Sequence, residues 1–228
     1  MKLLIPWYDL RLTKGVLEAA KHCKVVAIAN VFSGPGHKRN QSWADQIERM
    51  RRAGVSVAGY IDAVRWPGDG PSPVAKKRLA TKVELADAEK KWRTWYDVGR
   101  MFVDDVSEST RQFENSGDIW NWGCEPPLRR VQRANVGHHV VHEGHDYRDS
   151  EPSAVLPRRQ AVFALNEPDF APVLALASVR NIDLVFISDR RDKTPAGDDD
   201  WSTYDEHPGY LIKLAKAIRE IDTAKSSS

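Results

Sequence analysis

Acidic and aromatic side chains recur where the short apolar runs of this sequence end. The residues at these positions are Trp7, Tyr8 and Asp9; Asn30; Tyr60 and Asp62; Asp104 and Asp105; Glu143; Asn166 and Glu167; Ser188 and Asp189. Polar residues are expected there in any α/β protein, because loops begin where strands end. Clustered carboxylates, however, raise the pKa of one another and cost stability. The whole set therefore indicates a functional site more strongly than any single member does.

Carboxylates beside aromatic rings are typical of enzymes that cleave glycosidic bonds. One acid protonates the leaving oxygen while a second attacks the sugar or activates water, and aromatic faces stack on the sugar rings. The run 30–36 lacks the lysine of a Walker loop and the glycine spacing of a dinucleotide fold, so we interpret it as a rigid turn at a pocket rim. Neighbours in a strand point to opposite sides, so only one of Asp104 and Asp105 is expected to take part directly.

Short apolar runs alternate with helical segments along almost the whole chain, a pattern typical of βα units around a parallel sheet. Strands are predicted over residues 3–9, 25–30, 55–62, 100–105, 130–135, 138–143, 160–165 and 184–187. One helix is predicted over 42–53, with Trp43, Ile47 and Met50 on one face and Gly54 after it, and a longer one is predicted to end near Gly99. Eight strands in 228 residues predict a (β/α)8 TIM barrel, with an open doubly wound sheet as the alternative. We expect a single domain over 1–225 and a frayed tail over 226–228.

The charge distribution excludes some classes of partner. Lys and Arg number 34 against 32 Asp and Glu, and the two signs are interspersed, which argues against a nucleic-acid-binding protein. No apolar run has the length of a membrane-spanning helix, and the first residues lack the pattern of a secretion signal. We therefore expect a soluble protein of the cytoplasm, or a secreted one if the chain is a processed form, with no membrane partner and an undetermined oligomeric state.

The segment Asn30-Val31-Phe32-Ser33-Gly34-Pro35-Gly36 resembles the Asn-x-x-Ser-Gly-Pro-Gly loop of the spherulin-4-like proteins, or spherulation-specific family 4. Other segments follow in the order that this family has them, over most of the chain. They are 5–8 on the first strand, 53–62 on the third, 102–105 on the fourth, 140–144 on a later strand that ends in glutamate, and 185–189 on the last strand, which ends in Ser-Asp.

The resemblance implies a (β/α)8 barrel related to glycoside hydrolases that cleave galactosamine-containing polysaccharide. By position, Asp104 and Glu143 match the acidic pair of the family. Asp105 stands where the family usually has glutamate, and the Asn-Pro-Gly strand end of the family survives at best as residues 135–137. These departures point to a substrate that differs from that of the fungal relatives.

We therefore predict an O-glycosyl hydrolase that degrades a polysaccharide containing galactosamine or N-acetylgalactosamine. The candidate catalytic residues are Asp104, Glu143 and Asp105. The candidate substrate-binding residues are Trp7, Tyr8, Asp9, Asn30, Ser33, Tyr60, Asp62, Asp189, Trp201 and Tyr204. No cofactor and no metal are expected. The alternative is a non-catalytic carbohydrate-binding or developmental protein on the same barrel.

Several candidate residues also have simpler interpretations. Asp9 and Asp62 could cap the helices that follow them, and Trp201 and Tyr204 could cover the mouth of the barrel. His142 and His145 with Asp146 could bind zinc. Position 146 is aspartate, however, so the HExxH pattern of a zincin helix is incomplete.

Overall fold

The computed structural model describes residues 1–65, 78–104, 119–122, 140–144, 160–164, 167–189 and 209–227, and for 79, 82, 119–122, 140–144 and 160 the backbone alone. The helices in chain order are α1 (Thr13–Ala20), α2 (Gln41–Arg52), α3 (Lys82–Tyr96), α4 (Ala171–Val179) and α5 (Tyr210–Ser226). The strands are β1 (Lys2–Trp7), β2 (Val25–Ala29), β3 (Ser56–Asp62), β4 (Val64–Arg65), β5 (Arg78–Leu79), β6 (Arg100–Asp104), β7 (Ile119–Trp122), β8 (Val140–Gly144), β9 (Gln160–Ala164) and β10 (Leu184–Ile187). None of these helices is long and apolar enough to cross a membrane.

The larger sheet is parallel. β1 pairs with β2 on one side and with β10 on the other, β2 pairs with β3, and β3 pairs with β6. From β6 the pairing continues through β7, β8 and β9 to β10, while β4 and β5 form a separate antiparallel pair. The prediction of an α/β fold is confirmed, with a curled parallel sheet that is compatible with part of a TIM-like barrel.

Helices α1, α2, α3 and α5 pack against the strands β1, β2 and β3. All residues of β2 are buried, as expected for a parallel strand covered on both sides. On α2 the side chains of Trp43, Ile47 and Met50 are buried, which confirms the helical face predicted from their spacing. Gly54, just beyond α2, has φ +81°, the left-handed conformation in which glycine commonly follows a helix.

The capping of α3 explains where this helix begins and ends. Thr81 and Glu84 form a capping box at its start. The helix ends at Tyr96 rather than near Gly99, because Asp97 takes the left-handed conformation at φ +54°. Aspartate tolerates that conformation better than most residues do, since its short polar side chain can bond locally.

The strand between β6 and β8 differs from the prediction. β7 lies at Ile119–Trp122, where no strand was predicted, and residues 130–135 lie outside the described residues. The other strands of the parallel sheet lie within two residues of their predicted starts and ends, whereas the short antiparallel strands β4 and β5 were not predicted. The last helix, α5, extends through Ser226, into the predicted tail.

Candidate active site at the carboxyl edge of the sheet

Side-chain alternation divides the strands into an interior face and a helix-covered face. Phe102 on β6 contacts Phe163 on β9 with ring centroids 6.3 Å apart, although these strands are not neighbours, so both rings lie inside the curl of the sheet. Tyr60 is in register with Phe102 and stacks on it at 6.1 Å. Because alternate residues share a face, Asp62 and Asp104 continue this interior face at the carboxyl ends of β3 and β6.

The centre of the candidate site is a hydrogen bond between Tyr60 and Asp104. The Tyr60 hydroxyl donates to Asp104 Oδ2 at 2.5 Å. Burial above all, and then the negative charge of Asp104, raises the pKa of the Tyr60 phenol well above its ordinary value. The phenol is therefore a proton-bearing donor at neutral pH, and a hydrogen bond donated to a carboxylate favours its charged form.

Tyr8 and Asp62 lie on either side of this pair. The Tyr8 ring meets the Tyr60 ring edge-on at 5.6 Å. Asp62 is in register with Asp104 on the adjacent strand, and its Oδ1 accepts a hydrogen bond from Val64 N at 2.7 Å. The structure thus brings together four of the predicted site residues at one edge of the interior face. Asp62 does not cap a helix, because Val64 begins the strand β4 and α3 is capped by Thr81.

Asn30 shapes the loop that borders the site. Its side-chain oxygen accepts a hydrogen bond from Gly34 N at 2.9 Å, and Ser33 takes a left-handed backbone with φ +43°. Tyr96 of α3 donates its hydroxyl to Pro35 O at 3.0 Å. These bonds make the loop a rigid turn at the rim, as its sequence predicted, and they engage the Asn30 oxygen in the loop itself.

Trp7 does not belong to this site. It is fully buried, and its ring packs against Trp43 of α2 with centroids 4.6 Å apart. Trp7 and Tyr8 are neighbours on an extended strand, so they point to opposite faces, and Trp7 takes the helix-covered one. The prediction of Trp7 as a sugar platform is therefore corrected: it is a core residue between the sheet and α2.

Asp9 is engaged by the turn that follows β1. Its Oδ1 accepts from Arg11 N at 2.8 Å and its Oδ2 from Arg11 Nε at 2.7 Å. The hydrogen bond from the Arg11 guanidinium lowers the pKa of this carboxyl. Of the two interpretations of Asp9, capping is the one that the structure supports.

Two further carboxylates are buried at the same edge of the sheet. Asp189, which follows β10, is 3 % exposed, and Glu167, which follows β9, is 5 % exposed. Glu167 N donates to Ser188 O at 2.9 Å, and the Tyr210 hydroxyl donates to Glu167 O at 2.5 Å. Glu167 was noted as a strand-end residue but not predicted as a site residue. Burying a carboxylate is costly. The burial of Glu167 therefore identifies it as a candidate site residue more clearly than its position in the sequence does.

Comparison with known proteins does not assign the chain to a family. The chain matches no protein-family model, no curated protein and no solved structure. The resemblance to the spherulin-4-like proteins therefore stays a prediction.

Glu143, the second acid of the predicted pair, is described by its backbone position alone. Glu143 lies in β8 in register with Phe163 of β9, and residues in register on neighbouring strands share a face of the sheet. In the same way, Trp120 on β7 is in register with the interior Phe102. Asp105, Trp201 and Tyr204 lie outside the described residues.

The structure does not test the alternative of a zinc site at His142, His145 and Asp146. Among the described side chains, no group of three or more His, Cys, Asp and Glu could hold a metal ion. His142 is described by its backbone alone, and His145 and Asp146 lie outside the described residues.

Proposed function

We propose that the protein is a glycoside hydrolase of the spherulin-4-like kind, acting on an amino-sugar-containing polysaccharide at the carboxyl edge of a (β/α)8 barrel. The observation that carries this proposal is the hydrogen bond from buried Tyr60 to Asp104, between the Tyr8 ring and Asp62. Carboxylates and aromatic rings at one concave edge are what a site for cleaving sugars requires.

The finer fold assignment rests on strand order. The parallel pairings run β1, β10, β9, β8, β7, β6, β3, β2, and β2 pairs with β1. Helices follow β2, β3 by way of the β4–β5 pair, β9 and β10, and a helix follows β1 after a short turn. Enzymes with the (β/α)8 fold carry their chemistry at the carboxyl ends of the strands, which is where Asp104 lies.

The strand order supports the pairing of the two acids. β6 and β8 are separated by β7 alone, which puts the two strands roughly 10 Å apart at about 4.8 Å per strand. Through Asn121, Val103 is level with Val140, so Glu143 lies two residues further along its strand than Asp104 does, and the two backbones are on the order of 12 Å apart. Carboxyl pairs about 5 Å apart in retaining enzymes and about 6.5–9.5 Å apart in inverting ones can be built from such neighbours. We propose Asp104 and Glu143 as this pair, for which Asp105 is not needed.

The hydrogen bonding of Asp104 supports a division of roles. Because Tyr60 stays protonated and donates to Asp104, it favours the charged carboxylate and fixes the direction in which that carboxylate points. A charged carboxylate serves as a nucleophile, as a base toward water or as a partner for the positive charge that develops on the sugar. Glu143 is then the proton donor to the leaving oxygen.

The direct test is the release of reducing ends from a polymer that contains N-acetylgalactosamine. We expect release by the native protein and its loss in both Asp104→Asn and Glu143→Gln. Asp97→Asn is the matched control, because Asp97 is an exposed residue at the end of α3. Activity that survives in both site variants contradicts the proposal. Binding of the polymer without turnover by the native protein favours the non-catalytic carbohydrate-binding alternative, which the Asp105 departure also suits.

A further inference from the structure

We propose that the groove between the loop 31–37 and α3 binds one more sugar ring of the same chain, stacked on Phe32. This rim groove is bordered by Phe32 and His37 on the loop, by Asp62 at the carboxyl end of β3, and by Asp87 and Lys91 on α3. The inference rests on the proposed function in one respect: the chain that it binds is the substrate. It deepens that function by making the substrate an extended oligosaccharide or polysaccharide rather than the glycoside of a single sugar.

Phe32 is an unusual side chain for its position. In the described part of the chain the exposed large apolar side chains are Phe32, Val83 and Val179, and Phe32 is the aromatic one, with 57 % of its surface exposed. The two valines lie on the surfaces of α3 and α4. An aromatic ring left in water at the rim of a groove offers the flat apolar face on which a sugar ring stacks.

Hydrogen bonds fix the backbone of the loop that carries Phe32. Val31 N and Phe32 N both donate to Gly34 O, and the Pro35 carbonyl is bonded to Tyr96 of α3. The Phe32 ring itself meets the His37 ring edge-on with centroids 5.1 Å apart. A platform ordered before binding spares the entropy that a mobile one would lose.

The size of the rim groove suits a single ring. Its volume is about 200 Å³, below the roughly 300–1,000 Å³ of pockets for drug-sized ligands. Asp62 borders the rim groove and is also in register with Asp104. A sugar in the groove is therefore adjacent to the reacting sugar, as consecutive units of one chain require.

The charges of the rim groove favour a sugar over an anion. Its carboxylates are Asp62, Glu84 and Asp87, and its cationic side chains are Arg65 and Lys91. Lys91 is paired with Asp87 at 2.6 Å, and Arg65 Nε lies 3.9 Å from Glu84 Oε1. With acids in slight excess, the groove does not attract phosphate, whereas its many polar atoms can bond the hydroxyl or amino groups of a sugar.

The test compares ligands of two lengths in one calorimetric titration. The probes are free N-acetylgalactosamine and a longer oligosaccharide of N-acetylgalactosamine, each titrated into the native protein, Phe32→Ala and the control Val179→Ala. Both substituted side chains are exposed, so unchanged melting temperatures are expected. We expect Phe32→Ala to bind the longer probe roughly tenfold more weakly, a loss of the size expected for one stacked ring, with the affinity for the single sugar unchanged.

Each outcome of the titration decides the proposal. Equal affinity of Phe32→Ala and the native protein for the longer probe overturns it, as does an equal loss for both probes or no binding by the native protein at all. Failure of the proposed function is separately visible. If the native protein binds the longer probe through Phe32 but releases no reducing ends, the proposal of a sugar site in the rim groove is supported and the proposed hydrolase activity is contradicted.

Discussion

The turn after β1 and the end of β6 each place an aspartate at the carboxyl edge of the sheet, yet the two carboxylates have different surroundings. Asp9 is held by the backbone and the guanidinium of Arg11 and caps a turn. Asp104 accepts a hydrogen bond from the buried hydroxyl of Tyr60, inside the curl of the sheet. One carboxylate is occupied by local structure, and the other is held by a residue from a neighbouring strand.

This difference separates structural acids from candidate catalytic ones. A cap is built from residues close in sequence, and Asp9 and Arg11 are two residues apart. The Tyr60–Asp104 bond joins residues 44 apart in sequence and exists only once β3 and β6 are paired. A strand-end acid that is held by a distant buried donor is therefore the better candidate for chemistry, and four predictions test the comparison.

The largest effect is expected from removing the charge of each aspartate in turn. Asp104→Asn should lower the rate of reducing-end release by about 10²–10⁴, the range typical for a lost acid–base group. Asp9→Asn should stay within a few-fold of native, because its oxygens serve the turn. Initial rates on the polymer, with melting temperatures as a folding check, measure both. Equal losses in the two variants would erase the distinction between the two acids.

Tyr60→Phe should have the next largest effect. Losing a hydrogen bond to a charged group costs about 1.5–3 kcal/mol, which is roughly a 10- to 100-fold lower rate. The ring contacts with Tyr8 and Phe102 are kept. Since burial and Asp104 hold the pKa of this phenol well above its ordinary value of 10, native activity should show no loss from tyrosine ionisation as the pH rises to 10. A native rate that falls with an apparent pKa near 10, together with full activity in Tyr60→Phe, would contradict the proposed role of Tyr60 as the donor that orients Asp104.

Gly59→Ala tests the support behind Tyr60. A Cβ at Gly59 would lie 2.4 Å from the ring of fully buried Trp92, and the Trp92 indole donates to Tyr60 O at 2.7 Å. Overpacking of this kind costs about 1–3 kcal/mol, and it should also lower activity by displacing the strand. Gly15→Ala is the control: it meets no atom within 4 Å, and alanine in a helix should be neutral or stabilising by about 0.5–1 kcal/mol. Urea unfolding of both variants measures their free energies of unfolding. Equal values would show that the close packing of Gly59 against Trp92 does not limit the side chain at position 59.

The smallest effect is expected from Glu84→Gln, a third acid near the same edge. Arg78 donates to both Glu84 oxygens at 2.9 and 2.7 Å and lowers the pKa of this carboxyl to about 2. Because glutamine can also complete a capping box, the change removes mainly the charge. The Glu84 side chain is 34 % exposed, so solvent screens its ion pair with Arg78. We therefore expect the free energy of unfolding to fall by less than about 1 kcal/mol at neutral pH.

The pH dependence of that loss has a definite sign. A carboxyl whose folded pKa is lowered stabilises the fold above its unfolded pKa and loses this contribution as it is protonated. The stability gap between native and Glu84→Gln should therefore be constant at neutral pH and close as the pH falls from 4.5 toward 2. Unfolding curves measured across that range check it, and a gap that widens on acidification would contradict the assignment.

Periodicity predicted the elements of this fold because one face of each must be buried. Trp43, Ile47 and Met50 were identified as core from their spacing, and they are buried on α2. The same alternation, applied to Trp7 and Tyr8, would have assigned Trp7 to the helix-covered face. β7 was missed because a strand of four residues, with tryptophans at Trp120 and Trp122, is too short to show a period.

The candidate site was predictable as a set of strand ends, but its internal order was not. Tyr60, Asp62 and Asp104 follow from strand ends, whereas the bond between Tyr60 and Asp104 depends on the register of β3 against β6. The burial of Glu167 depends on packing against Tyr210 of α5 and on the Ser188 carbonyl after β10. Register and long-range packing are set by the whole sheet, and a local pattern of residues does not contain them.

The most direct test is a crystal structure of Asp104→Asn with a bound N-acetylgalactosamine oligosaccharide. The substitution keeps the shape of the side chain and slows turnover, so that an uncleaved chain can be observed. We predict a sugar against Tyr8 and Tyr60, a glycosidic oxygen near residues 104 and 143, and the next ring on Phe32. An oligosaccharide bound away from the carboxyl edge of the sheet, with none of these residues in contact, would contradict the account.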